Sequence, residues 1–164
     1  MPSVLTTYSG VDPDVQRNLR FGIRKGGRWG GLRKEPVDWK AATTFGWHVI
    51  GAQAKGLRRG PRCQPEEWVT ATIDVYIFRV LSPLVLESGG YFWPDEVRQS
   101  ELMYPYRFDI ELVAHAPGVS TAYNAPIPAD ISEGIRRAAS RAESIAIVGD
   151  KDWTAFVDEI TRRQ

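Results

Sequence analysis

The stretch Trp68–Leu81 (WVTATIDVYIFRVL) does most to limit what this chain can become. Val69, Ala71, Ile73, Val75, Ile77 and Val80 are apolar and partly alternate with Thr70, Thr72, Asp74, Tyr76 and Arg79. A period of two, carried by β-branched and aromatic residues, predicts a strand. Ser82-Pro83 marks a bend, beyond which Leu84–Leu86 continues the strand. Three further stretches read as strands: Ser3–Tyr8, Gly46–Ala52 and Tyr104–Val113. In the last, Tyr106, Phe108, Ile110 and Leu112 alternate with Arg107, Asp109 and Glu111.

Helical signals flank these strands. Asp12 is placed to be an N-cap with Pro13 at the first helical position, and Val15, Leu19 and Ile23 recur at helical spacing. Asn18 to Phe21 reads as the end of that helix, and the glycines from Gly26 onward stop it. Val37–Ala42 reads as a short helix or turn, and Ile131–Ala146 and Asp152–Ile160 as helices. Lys55–Pro65 and Ala116–Asp130 read as loops. At 164 residues, the order of elements predicts one α+β domain over 1–164: a small curved β-barrel or sheet flanked by helices. Its core spans about 3–113 and its helical C-terminal part about 130–164.

The net charge of +1 hides an uneven layout. Lys and Arg crowd Arg17–Lys40 and Lys55–Arg62, while the acids concentrate after Glu66, so a basic face is compatible with a near-neutral protein. The single cysteine, Cys63, excludes an internal disulfide and a Cys-rich metal site. Apolar runs fall far short of the ~20 residues a membrane helix needs, and the first residues lack a charged-then-apolar signal pattern. A cytoplasmic protein with no membrane partner is expected.

Enzyme signatures are sparse. His48 and His115 stand at no metal-ligand spacing, and no phosphate loop, GxSxG elbow, HExxH or dinucleotide fingerprint occurs. Cys63 has no obvious partner histidine, although Arg59 and Arg62 beside it predict a somewhat acidified thiol. The acid pairs Glu66/Glu67 and Asp95/Glu96 read as solvated surface. No catalytic residue, metal or cofactor is expected.

Two glycine-flanked aromatic loops remain. In Asn18–Leu32 (NLRFGIRKGGRWGGL), Trp29 sits among glycines that let another molecule come close. Ser88–Asp95 (SGGYFWPD) sets Tyr91, Phe92 and Trp93 in succession. Each tryptophan is either a core plug or an exposed stacking face. Flat rings that stack on bases, together with Arg and Lys that hold phosphates, are how nucleic-acid readers work.

Asn18–Gly30, the strand Thr72–Leu81, FWPDE at Phe92–Glu96 and YPYRFDIEL at Tyr104–Leu112 occur in that order. On these segments the chain resembles the EVE domains, a family of the PUA-like superfamily that also holds the YTH domains. It departs from their pattern at Phe45-Gly46-Trp47, where an Asp is usual after the Gly, and in the basic insert Lys55–Pro65. The resemblance implies a PUA-like barrel with an aromatic cage for a modified or flipped base. Trp29 and Trp93 become facing cage walls and Asn18 the polar reader of the base edge, its amide able to donate and accept at once. Position adds Tyr91, Phe92 and Trp47 to the pocket.

The expectation is therefore a binding module that is not an enzyme. It reads methylated cytosine or a similar base in DNA, and is the recognition part of a modification-dependent restriction or defence system with an effector nuclease as a possible partner. Phosphates are to be held by Arg20, Arg24, Lys25, Arg28, Arg33, Lys34, Arg58, Arg59 and Arg62. The alternative is an RNA-binding or RNA-processing PUA-like domain, a nuclease being one form of it.

Overall fold

A computed structural model describes residues 1–10, 13–24, 28–32, 45–83, 85–86, 90–140 and 144–164. The expected turn at Val37–Ala42 lies outside them. The fold is α+β. Its strands are β1 (Ser3–Ser9), β2 (Arg28–Leu32), β3 (Trp47–Lys55), β4 (Thr72–Val80), β5 (Val85–Leu86), β6 (Tyr106–Ser120) and β7 (Ser144–Ile147). Its helices are α1 (Pro13–Arg24), α2 (Pro65–Trp68), α3 (Pro94–Gln99), α4 (Ala129–Ser140) and α5 (Asp150–Arg162). The sheet runs β2-β6-β4-β3-β1-β7, with β5 also on β6, and curls into a half-barrel. No helix among the described residues is long and apolar enough to cross a membrane.

The alternation in β4 holds, and the sheet is covered on both faces. Ile73, Val75 and Ile77 join Val4, Val49 and Ala114 beneath Ile131 and Ile135 of α4 and Trp153, Phe156 and Ile160 of α5. Phe78 joins Leu5, Ile50, Phe108 and Ile110 against Leu19 of α1. Sequence neighbours such as Val4/Leu5 and Val49/Ile50 thus serve opposite faces, as a period of two requires. β1 and β3 run parallel, with Thr6 opposite Val49. A parallel pair needs a crossover connection; residues 10–46, which carry α1 and β2, supply it.

Curvature comes from irregular pairing. The β4–β6 register shifts between Ile73 and Val75 and between Ile77 and Phe78. Such bulges bend and twist a sheet locally. Gly118 has φ +61°, a left-handed conformation that suits glycine, and its N–H donates to Asp74 Oδ1 at 3.1 Å.

The structure corrects five local expectations. α1 continues to Arg24, so the buried Gly22 lies inside the helix rather than in a loop. Arg28–Leu32 is a strand: the edge of β6 offers hydrogen-bond partners that outweigh the poor strand preference of two glycines. Trp68 closes the helical turn α2 instead of opening a strand. β6 runs through Pro117 to Ser120, a proline tolerated in irregular pairing. Likewise the expected helix Ile131–Ala146 ends at Ser140, and Ser144–Ile147 forms β7 antiparallel to β1. Beyond Ser82-Pro83, Val85 and Leu86 are extended as expected, and they form β5 on β6, with Val85 opposite Arg107.

Helix α4 approaches β1 closely through Gly134. A Cβ there would stand 2.4 Å from Thr6 Oγ1 and 3.1 Å from Ser144 Oγ. The Thr6 hydroxyl donates to the Ser144 carbonyl at 3.0 Å, so it cannot turn away without breaking the β1–β7 link. Gly134→Ala is expected to destabilise the fold by about 1–3 kcal/mol in urea unfolding; an unchanged midpoint would refute this packing.

His48 is fully buried between Phe78 and Phe108 and shares a 2.8 Å hydrogen bond between its Nε2 and Thr7 Oγ1. Burial pushes its pKa from the usual 6.5 down to about 3. The folded chain holds His48 neutral while the unfolded chain protonates it below about 6.5, so stability falls as pH drops through that window. His115, lowered by burial, adds in the same direction. Between pH 6.5 and 5, above most carboxylate titration, unfolding free energy should fall by up to about 1.4 kcal/mol per pH unit for His48 alone. His48→Leu should flatten the profile; a wild-type profile already flat in that range would contradict it.

Candidate functional site

The segment FWPDE folds around one carboxylate. Pro94 opens α3, which puts Asp95 and Glu96 in its first turn. Glu96 is wholly buried. Its Oε1 accepts the backbone N–H groups of Phe92 (3.0 Å) and Trp93 (3.2 Å), and its Oε2 those of Met103 (2.9 Å) and Tyr104 (3.0 Å). Arg107 Nη2 donates to both oxygens, at 2.9 and 3.1 Å, and Arg107 Nε donates to the Tyr104 carbonyl at 2.9 Å. Asp95, also buried, accepts the Tyr104 hydroxyl at 2.7 Å. Residues 92–93 and 103–104 are thereby clamped together, with Glu96 ion-paired to Arg107 and Asp95 held by the Tyr104 hydroxyl and the Glu96 N–H.

This overturns the reading of Asp95/Glu96 as solvated surface, and it places Arg107 inside when strand alternation put it outside. Arg107 is 2% exposed, and Phe108 beside it is buried as well. Two carboxylates directly after an aromatic-proline pair, with an arginine set among aromatics 11 residues after the second, were the available signal. Alternation alone hid it.

Trp93 lies inside the clamp. It is 1% exposed, its ring meets Phe92 and Tyr104 edge-on at 4.8 and 5.7 Å, and the Arg107 guanidinium sits 5.0 Å from its centroid. Arg107 already occupies the cation–π position, so Trp93 has no bare face for a base. Phe92 connects outward: its ring meets Phe21 of α1 edge-on at 5.2 Å. Tyr91 is half-exposed, and its hydroxyl donates to the Ser100 carbonyl at 2.8 Å, at the left-handed end of α3.

Asn18 is one turn before Phe21 on α1. It is 8% exposed, and its Oδ1 is buried without a hydrogen-bond partner among the described residues. Helix α1 packs against α3, β2 and β6. The Trp29 backbone pairs with Phe108, next to Arg107; the Trp29 side chain lies outside the described residues. The two aromatic segments are therefore neighbours in space, joined through α1 and β6. Trp47 is elsewhere. It faces the other side of the sheet, where its ring meets Trp153 at 5.0 Å and Arg79 at 5.4 Å. Its place at the start of β3 puts its side chain opposite to that of His48, so it does not join Phe92 and Trp93.

The arginines also divide. Arg20 and Arg24 are exposed on α1, the helix that carries Asn18. Arg58, Arg59 and Arg62 are exposed on the loop after β3, beside α4 on the other face. The side chains of Lys25, Arg28, Arg33 and Lys34 lie outside the described residues. Cys63 is buried, and burial with Glu67 nearby raises its pKa, so it is not the acidified thiol expected from its basic neighbours. Among the described residues no group of three or more His, Cys, Asp or Glu is placed to hold a metal ion. No family model and no curated protein matches the chain.

Glu96→Gln should remove the charge that Arg107 needs while keeping the volume, and turn an N–H toward backbone donors. The expected cost is about 3–5 kcal/mol in urea unfolding. Loss of the edge contacts on Trp93 should show as a changed near-ultraviolet circular dichroism signal. A stability within 1 kcal/mol of wild type, on the scale of an exposed pair, would contradict the clamp.

Proposed function

We propose that this chain is a nucleic-acid-binding module that reads a flipped, modified base, methylated cytosine or a similar base in DNA. In this reading it is the recognition part of a modification-dependent restriction or defence system, and its half-barrel is of the PUA-like, EVE type. The observation that carries the reading is Asn18. A buried amide oxygen with no partner costs about 1–3 kcal/mol, and native proteins leave few such groups unsatisfied. A base that enters beside α1 offers an exocyclic amine to Oδ1, while the Asn18 amide nitrogen donates to the neighbouring ring nitrogen.

The surroundings fit that role. The Glu96 clamp holds Phe92 against α1, giving the Asn18 side of the helix a rigid aromatic neighbour. Arg20 and Arg24 are exposed on the same helix, where they meet phosphates flanking the flipped nucleotide. Trp29 is the stacking ring in this reading, and the buried Trp93 is not the second open wall.

The test is fluorescence anisotropy with oligonucleotides carrying 5-methylcytosine, 5-hydroxymethylcytosine, N6-methyladenine or no modification, as duplex and single strand. At least tenfold preference for one modified form is expected. Asn18→Leu should remove about 1–3 kcal/mol of that preference while raising thermal stability, because the orphaned oxygen is gone. Equal affinity across the panel, or a preference that survives Asn18→Leu, would overturn the reading.

A further inference from the structure

On the opposite face, a cleft of about 310 Å³ opens between the loop after β3 and the last turn of α4. It is lined by Arg62, Cys63, Gln64, Arg136, Arg137 and Ser140. No carboxylate is among them, and five of the six carry strong side-chain donors. Arg136 forms the fixed base: Nε and Nη2 donate to the two oxygens of Glu133 at 2.9 and 2.5 Å, and Nη1 donates to the Cys63 carbonyl at 2.8 Å. Arg137 is held loosely, with Nε 3.9 Å from Glu133, and is more than half exposed. Arg62 has no ion-pair partner among the described residues.

The carboxylates around the cleft are Glu133 and, from further off, Glu66 acting on Arg136 and Glu67 acting on Cys63. Burial pushes the Cys63 thiol up, so it brings no negative charge. Arginines late in α4 are partly explained by the helix dipole, which favours cations there. The dipole does not explain Arg62, which converges on the same space from a separate loop.

We propose that this cleft is an oxyanion site for a phosphate monoester, independent of base reading. Guanidinium forks match phosphate geometry, Gln64 adds a neutral donor, and the Ser140 hydroxyl, which donates to the Arg137 carbonyl at 3.4 Å, can turn from that long bond to a phosphate oxygen. The volume lies at the lower end of small-ligand sites, roughly 300–1,000 Å³, enough for a phosphate with a small organic group attached.

The test is isothermal titration of the full chain with inorganic phosphate, a nucleoside 5′-monophosphate, acetate, and a short oligonucleotide without terminal phosphate. Phosphate and the monophosphate should bind, and acetate at least tenfold more weakly. The exposed double substitution Arg62→Gln/Arg137→Gln should weaken phosphate by about tenfold or more, with an unchanged melting temperature as the folding control. Asn18→Leu should leave phosphate binding intact, which separates this site from the base reader. Phosphate binding no tighter than acetate, or unaltered by the double substitution, overturns the proposal. Binding of the unphosphorylated oligonucleotide that competes equally with phosphate overturns the monoester assignment.

Discussion

The carboxylate of Glu96 is the interaction on which the site side of this molecule depends. It accepts four backbone N–H groups from two separate segments and holds the Arg107 guanidinium. A buried carboxylate left without those donors would cost several kcal/mol, so the segments either close around it together or not at all. Once they close, Trp93 is fixed under Arg107, Phe92 is presented to Phe21, and the start of β6 is set beside β2. A short polar motif thus does what a larger apolar core does elsewhere. The covering charge is also what denies Trp93 an open ring face.

Much of the fold was legible because hydrophobic period two is a local signal. Val4/Leu5, Val49/Ile50 and Ile77/Phe78 each split between the two faces, and the central strands follow. What local pattern could not show was pairing across distance. Arg28–Leu32 and Ser144–Ile147 become strands only because β6 and β1 have free edges beside them. In β6 a register shift beside Leu112, which is 41% exposed, breaks the alternation, and Arg107 is buried by its pairing with Glu96. The candidate site was legible as a motif before it was legible as chemistry. FWPDE and YPYRF belong together, but their acid and arginine are structural partners rather than solvated charges.

The sheet divides the molecule into two chemical faces. Helix α1 lies on one, carrying Asn18, Phe21 packed on Phe92, and the exposed Arg20 and Arg24. Helices α4 and α5 cover the other, where Trp47 packs on Trp153 and the arginine cleft opens. The arginines that look like one basic stripe in sequence therefore serve two surfaces. The proposed base reader draws only on the first, which keeps its demands small: one unsatisfied amide, one clamped aromatic and two cations on the same helix.

The central claim is that the orphaned Asn18 amide is completed by a base. Side-chain amide resonances in a ¹⁵N-labelled sample report this directly. On addition of a duplex carrying the preferred modified base, the Asn18 side-chain signals should shift strongly at saturation, and the unmodified duplex should leave them in place. An Asn18 signal that stays fixed while the modified duplex is bound would contradict the account.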